Sequence, residues 1–338
     1  METLIFGLNA VLPIILLIAL GYILKKSNFI NENFMDIANK IVFRIALPAL
    51  LFYNIYSVSG LEDINWSVMI YAAIGILILL VIGLIFAKFF IKDPRQKGVI
   101  VQTTLRANFA IIGIPLAESI GGPMAVANVA IIALVGIPMM SSISVIVLST
   151  YVKDENLGNP FKNAFLRVIK NPLIIGVAIG LLALWIRTFI PVDPVTQELV
   201  FSLENNLKFL YTPIKWLGQI TSPVALIVLG ATFKFDHING LQKEIILGTI
   251  LRSLVAPLIV LGLAIILAEN TVFFKFDKDV YPALISLFGS PTAITNAVMV
   301  REMKSDEALS VQLVVFTTIA SILTIFVIVV VFRNFGLL

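Results

Sequence analysis

The chain has 338 residues, 59% of them hydrophobic and 13% charged, with a mean hydropathy of +1.03. A soluble globular domain carries roughly 25% charged residues, so the composition excludes one and points to a polytopic membrane protein. The formal net charge of +4 is no argument for nucleic acid, because the basic residues sit in short connections, where orientation in a bilayer explains them.

Taken in chain order, ten apolar runs are predicted as α-helical membrane spans: 4–24, 35–56, 67–91, 98–121, 123–151, 166–190, 206–233, 243–268, 280–303 and 306–333. Each approaches or exceeds the ~20 residues that cross ~30 Å of hydrocarbon, and the longer ones must tilt or break. Met1-Glu2 brings no basic n-region or cleavage pattern, so the first run is expected to be retained as a span. Only 152–165 and 191–205 are long enough to be real loops. Zero cysteines exclude disulfides and thiolate metal sites. The single histidine, His237, falls in the loop after the seventh run and is expected to be solvated, since a metal needs several convergent ligands.

Lysines and arginines crowd one side. Connections after runs 1, 3, 5, 7 and 9 hold fourteen, among them Lys25, Lys92, Lys162, Lys234 and Arg301, and the opposite connections hold five. Odd-numbered loops are therefore predicted cytoplasmic, with both termini outside a plasma or inner membrane. Five basic residues remain inside runs: Lys40, Arg44, Arg106, Lys215 and Arg252. Lys40, Arg44 and Arg252 lie near cytoplasmic ends and are expected to snorkel to the interface. Glu118, near the outer end of run 4, is expected to be an interfacial carboxylate.

Two runs carry interruptions. The stretch Arg106-Ala-Asn-Phe-Ala-Ile-Ile-Gly-Ile-Pro115 brings a guanidinium, an amide, a glycine and a proline into hydrocarbon. Proline removes a backbone donor and clashes one turn back, so a break is expected just before Pro115. Ser286-Leu-Phe-Gly-Ser-Pro-Thr-Ala-Ile-Thr-Asn296 repeats that character about 175 residues further on. Pro48 and Pro223 pair at a similar offset, and runs 1 and 6 each carry an early proline, Pro13 and Pro172, though there the offset drops to 159, a difference the longer loop at 191–205 can absorb. Five runs per half, an odd number, force the halves to cross in opposite senses. The fold class predicted is thus all-α, two inverted five-helix repeats over 1–151 and 166–338 joined by a cytoplasmic loop at 152–165. Paired broken helices in such repeats point to a transporter's binding site.

Each break has predicted chemistry. Ser290 is expected to cap a half-helix beginning at Pro291, with Thr292, Thr295 and Asn296 on its first turns. In the first break Gly113 is expected to allow unusual dihedrals, Pro115 to open the next half-helix, and Asn108 to supply donor and acceptor. Half-helix N-termini favour anions, so two facing breaks would form a small carboxylate site. The serines Ser141, Ser142 and Ser144 and the polar residues Thr317, Thr318, Ser321 and Thr324 are expected to support the breaks by hydrogen bonding. Gly176 and Gly180 form a GxxxG expected to mark close helix packing within the monomer.

These residues carry a resemblance. Asn108-Phe-Ala-Ile-Ile-Gly113-Ile114-Pro115-Leu116 resembles the fourth-helix motif of the auxin efflux carrier family, which includes plant PIN-formed proteins and bacterial malate or malonate permeases. Pro291, with Val300-Arg-Glu-Met303 and Asp306-Glu-Ala-Leu-Ser310, is similar to that family's ninth-to-tenth helix region, and Pro48 to its second-helix proline. The motifs cover some thirty residues, and the long central loop of many plant members is missing. The resemblance implies ten helices, with spans 1, 2, 6 and 7 as an often dimeric scaffold and spans 3–5 and 8–10 as a mobile transport domain. It implies that helices 4 and 9 cross at Pro115 and Pro291, that Asn108 binds substrate beside the crossover, and that motion is elevator-like.

The function expected is a secondary carrier of small organic anions, auxin-like or dicarboxylate such as malate, with Arg106 and the helix N-termini facing the anion. No aspartate lies near either break, which argues against a carboxylate proton relay. Uniport driven by membrane potential, or a sodium ion held by carbonyl, serine, threonine and asparagine oxygens, are the coupling alternatives, the latter as in bile acid symporters or sodium/proton antiporters. No intramembrane histidine, cysteine, Gly-x-Ser-x-Gly or His-Glu-x-x-His is present, so enzymatic chemistry is not expected. No cofactor is expected.

Overall fold

The computed structural model describes residues 2–58, 60, 65–152, 171–192, 199–233 and 240–338, the side chain of Glu302 excepted. Most of the 152–165 loop, the start of the 166–190 run, Lys162, Lys234 and His237 lie outside the described residues.

Among the described residues every regular element is helical. Those of eight residues or more are α1 (Glu2–Lys26), α2 (Glu32–Ile41), α3 (Leu47–Tyr56), α4 (Trp66–Phe90), α5 (Pro94–Leu105), α6 (Ile114–Tyr151), α7 (Pro172–Arg187), α8 (Lys208–Ala231), α9 (Gln242–Ile250), α10 (Ala256–Asn270), α11 (Val280–Gly289), α12 (Thr295–Glu302) and α13 (Glu307–Asn334). Five starts are set by asparagine or aspartate. Asn31, Asn65, Asp93, Asn171 and Asp306 each accept a backbone N–H of the first turn, and Pro94 and Pro172 stand at the first helical position, where no N–H is missed.

Among the described residues six helical stretches are long and apolar enough to cross a bilayer: Glu2–Lys26, Trp66–Phe90, Phe109–Tyr151, Lys208–Ala231, Gln242–Asn270 and Glu307–Asn334. Pro172–Arg187 and Val280–Gly289 are shorter but apolar. At about 1.5 Å per residue the 43-residue stretch would run about 65 Å, twice the hydrocarbon thickness. It does not run straight. Gly122 interrupts it at φ 63°, ψ −154°, a conformation open almost only to glycine.

Three prolines are absorbed in one and the same way. Five-residue π-turns, Val42–Ala46, Phe109–Gly113 and Leu251–Val255, each end two residues before Pro48, Pro115 and Pro257. The residue between donates to a carbonyl five positions back: Leu47 to Val42, Ile114 to Phe109, Ala256 to Leu251. The widened turn accommodates the donor that proline lacks and keeps the helix continuous. Pro223 shows no such turn inside α8, so the sequence pairing of Pro48 with Pro223 is not matched by local geometry.

α1 packs on α8, and α3 on α7 and α8, while α4 packs on α5 and α6, α11 on α6, and α9 on α13. Gly176 and Gly180 seat α7 against α3. A Cβ at Gly176 would stand 2.7 Å from Pro48 Cα, and one at Gly180 3.3 Å from Phe52 Cα, so the motif serves close packing inside the chain.

Candidate functional site

The two interruptions meet. Asn108 donates its backbone N–H to the Pro291 carbonyl across 2.7 Å, and Ala293 donates to the Arg106 carbonyl across 3.1 Å. Ala107 and Thr292 thereby face one another as an isolated antiparallel bridge, two extended pieces of backbone in which each satisfies the polar groups the other helix has freed. Thr292 is held from three sides. Its N–H reaches Thr317 Oγ1 at 3.2 Å, its hydroxyl reaches the Arg106 carbonyl at 3.3 Å, and Asn296 Nδ2 donates to that hydroxyl at 2.6 Å.

The position of the first break differs from expectation. It lies at Arg106–Asn108, not beside Pro115, because the π-turn at Phe109–Gly113 takes up the proline. Helix therefore resumes at Phe109, and the Asn108 carbonyl accepts from Ile112 and Gly113 at 3.1 and 3.3 Å. Gly113 has ordinary helical dihedrals, φ −65°, ψ −45°. Its use is closeness: a Cβ there would collide with Ser286, whose carbonyl oxygen would be 2.9 Å away.

The second break is also reassigned. Ser290, at φ −62°, ψ 148°, ends α11 instead of opening the next helix, and Pro291 lies in the extended stretch. α12 starts only at Thr295, with Ile294 before it making no side-chain cap. Asn296 and Ala297 donate to the Ala293 and Ile294 carbonyls at 3.0 and 3.2 Å, so this N-terminus tightens on itself and offers fewer amide hydrogens than expected.

A cavity of about 520 Å³ opens on one side of the bridge. Arg106, Ala107, Asn108 and the first helical turn Phe109–Ile111 form one wall, Ala293, Ile294 and Thr295 a second, Ile137, Met140 and Ser141 a third, and Phe43 with Asn171–Leu173 the fourth. Of the residues expected at a site, Arg106, Asn108 and Thr295 line it. Gly113, Ile114, Pro115, Ser290, Pro291, Thr292 and Asn296 do not, and shape the crossover behind. Asn108 is 4% exposed, and its Nδ2 is buried with no hydrogen-bond partner among the described residues. Arg106 is half-buried, with Nη1 3.5 Å from Met299 Sδ. Ser141 and the Asn171-Pro172 pair stood out in the sequence for polarity and for an early proline, but nothing there placed them beside Asn108.

The largest correction concerns Arg252. Expected to snorkel, it is 0% exposed. Nε donates to the Ser290 carbonyl at 2.8 Å, Nη1 to Thr104 at 3.0 Å and Nη2 to Leu287 at 2.9 Å. Those carbonyls belong to the ends of α5 and α11, where helices leave acceptors unmet. A central charge costs about 2.5–3.5 kcal/mol on insertion scales. Hydrogen bonds to a charged group contribute about 1.5–3 kcal/mol each, so three outweigh that cost. Lys40 and Arg44 are exposed.

Of the supporting hydroxyls, Thr317 reaches the break directly, through Thr292. Ser321 pairs with Ser253 at 3.1 Å beside Arg252, while Ser144, Thr318 and Thr324 bond to their own helices. Glu118 accepts from Ser222 at 3.4 Å. The two broken spans are tied again away from the breaks, where Arg95 at the start of α5 and Ser305 beyond α12 exchange side-chain-to-carbonyl bonds of 3.1 and 2.6 Å.

Comparison with known proteins places the chain in a family. A family described as "Membrane transport protein" matches residues 6–329. An uncharacterized transporter of Methanothermobacter thermautotrophicus is 23% identical over 320 residues, 94% of this chain and 95% of that one. An uncharacterized transporter of Methanocaldococcus jannaschii is 25% identical over 330 residues, covering 94% of this chain and 96% of the relative. The match runs through both interruptions and nearly every described helix, and it identifies the chain as a member of the membrane transport protein family, that of the auxin efflux carriers, a transporter and not an enzyme.

Proposed function

We propose that the chain is a secondary carrier of small organic anions, auxin-like or dicarboxylate, which it binds in the cavity at the crossover and moves by an elevator-like displacement. The observation that carries this is the buried Asn108 Nδ2 in the cavity wall, without a hydrogen-bond partner among the described residues, beside the Arg106 guanidinium and the start of the helix at Phe109. A side-chain donor, a cation and a helix N-terminus converge there, and each of the three favours a carboxylate.

The membrane plan follows from the same reading. Ten crossings in two inverted halves require the break at Gly122 to separate two crossings, and the chain length of Phe109–Tyr151 supports that. The scaffold is α1, α2, α3, α7 and α8, the transport domain the rest. The cavity has walls from both: Phe43 and Asn171–Leu173 on the scaffold side, Arg106–Ile111 and Ala293–Thr295 on the other. A substrate held at that seam is exposed to alternate faces as one group slides past the other. Both termini lie outside a plasma or inner membrane, on the distribution of lysine and arginine.

The test is a thermal-shift screen of malate, malonate and indole-3-acetate on the purified chain, followed by saturable uptake of any hit into proteoliposomes. Asn108→Ala should lose the shift. A carboxylate that stabilises wild type and Asn108→Ala equally removes Asn108 from the site, and no shift and no flux with any carboxylate sinks the anion reading.

A further inference from the structure

The carbonyls of Thr104, Leu287 and Ser290 converge on one point from the C-terminal ends of two half-helices. Each such end carries about −0.5 of an elementary charge, so the pair presents about −1 to whatever lies between them. Convergent backbone carbonyls at half-helix C-termini are the donor set that holds a sodium ion in broken-helix carriers. In this chain the place is taken. The guanidinium of Arg252 sits there with no exposure, and each of its three nitrogens donates to a different carbonyl. A charge of +1 matches the two helix ends, and a planar fork of donors serves three acceptors that a point charge would serve less well. Arg252 is delivered by the π-turn Leu251–Val255 ahead of Pro257, a local distortion of an otherwise regular helix that carries Arg252 and Ser253 to the crossover.

We infer that Arg252 is a tethered counter-cation that pre-empts a monovalent cation site, so that the crossover holds together with no sodium or potassium bound at these carbonyls. It follows that movement of the anion is not coupled to sodium through this place. That consequence rests on the anion-carrier reading above, and the occupancy itself does not.

The test is to melt the detergent-purified full chain, as wild type, Arg252→Ala, Arg252→Met and Arg252→Lys, in sodium, potassium, guanidinium and choline chlorides at one ionic strength. Wild type melts alike in sodium, potassium and choline. Arg252→Ala melts well below it in choline and recovers several degrees in guanidinium, with a smaller recovery in sodium. Arg252→Lys, which keeps the charge, lies closest to wild type. A sodium-specific rise in wild type reveals a cation site that Arg252 does not fill and overturns the inference. So does an Arg252→Met variant as stable as wild type in choline, or an Arg252→Ala variant indifferent to guanidinium. If Arg252→Ala yields no protein, the wild-type salt comparison and Arg252→Lys decide the matter. Failure of the carboxylate screen would leave these melts unaffected, so the two failures are told apart.

Discussion

Asn108 and Pro291 are joined backbone to backbone, N–H to carbonyl at 2.7 Å, and that bond with its partner from Ala293 to Arg106 makes two interrupted helices a single object. Ala107 and Thr292 stand between these two bonds as a non-hydrogen-bonded antiparallel pair, whose Cα atoms in general lie about 4.5 Å apart. That spacing is within disulfide reach, and the chain has no other cysteine to compete. The double variant Ala107→Cys, Thr292→Cys should therefore oxidise to one intramolecular bond, seen as protection from alkylation in mass spectrometry. If the crossover travels as a body, the oxidised protein should still transport. Loss of flux on oxidation, restored by reductant, would mean the two breaks must part during the cycle.

Thr317 supports that object through one atom. Its hydroxyl accepts from Thr292 N–H at 3.2 Å while donating to its own helix at the Leu313 carbonyl, 2.6 Å away. Thr317→Val keeps the shape and leaves a buried amide without its acceptor, a loss of about 1–3 kcal/mol. The neighbouring Thr318 bonds only within its helix, to Val314, and Thr318→Val should cost less. Melting temperatures of the two variants side by side make the comparison, and equal losses would remove Thr317 from the support of the break.

The sequence made the outline legible because its signals are local. Apolar length located α4 over 66–90 within one residue of the expected 67–91, and the boundary expected between the runs 98–121 and 123–151 falls at Gly122, where the helix is interrupted. What it hid were partners distant in the chain. Pro115 announced a break but could not show that a π-turn would absorb it, leaving the true interruption at Arg106–Asn108. Ser290 carried the composition of an N-cap, and only the path of α11 makes it a C-cap. Arg252 looked like a residue near a membrane surface. Its three partners are main-chain carbonyls, which every residue has, so no side-chain pattern could have foretold them.

The register of Arg252 depends on Pro257, and this gives a test by sign. Proline in a helix interior usually costs about 3 kcal/mol, so its replacement by alanine is normally stabilising. Here Pro257→Ala would supply an N–H able to pair with the Ser253 carbonyl and draw Leu251–Val255 into ordinary α-helix. That rotation would take Arg252 off the carbonyls of α5 and α11. The variant should melt below wild type and lose transport. A higher melting temperature would show that the widened turn does not hold Arg252 in place.

Gly122 and Gly262 offer a second contrast of sign, free of packing. A Cβ added at either meets nothing within 4 Å. Gly122 holds φ 63°, ψ −154°, a region where a side chain costs about 1–3 kcal/mol, so Gly122→Ala should lower the melting temperature. Gly262 lies inside α10 in regular helix, where alanine is favoured over glycine by roughly 0.5–1 kcal/mol, so Gly262→Ala should raise it. Because neither substitution touches a neighbour, the difference between the two isolates the backbone conformation at 122. If Gly122→Ala were as stable as Gly262→Ala, the chain would have to run through residue 122 as unbroken helix. A stretch of 43 residues would then be left with no turn to divide it, and the reading of two crossings there would fall.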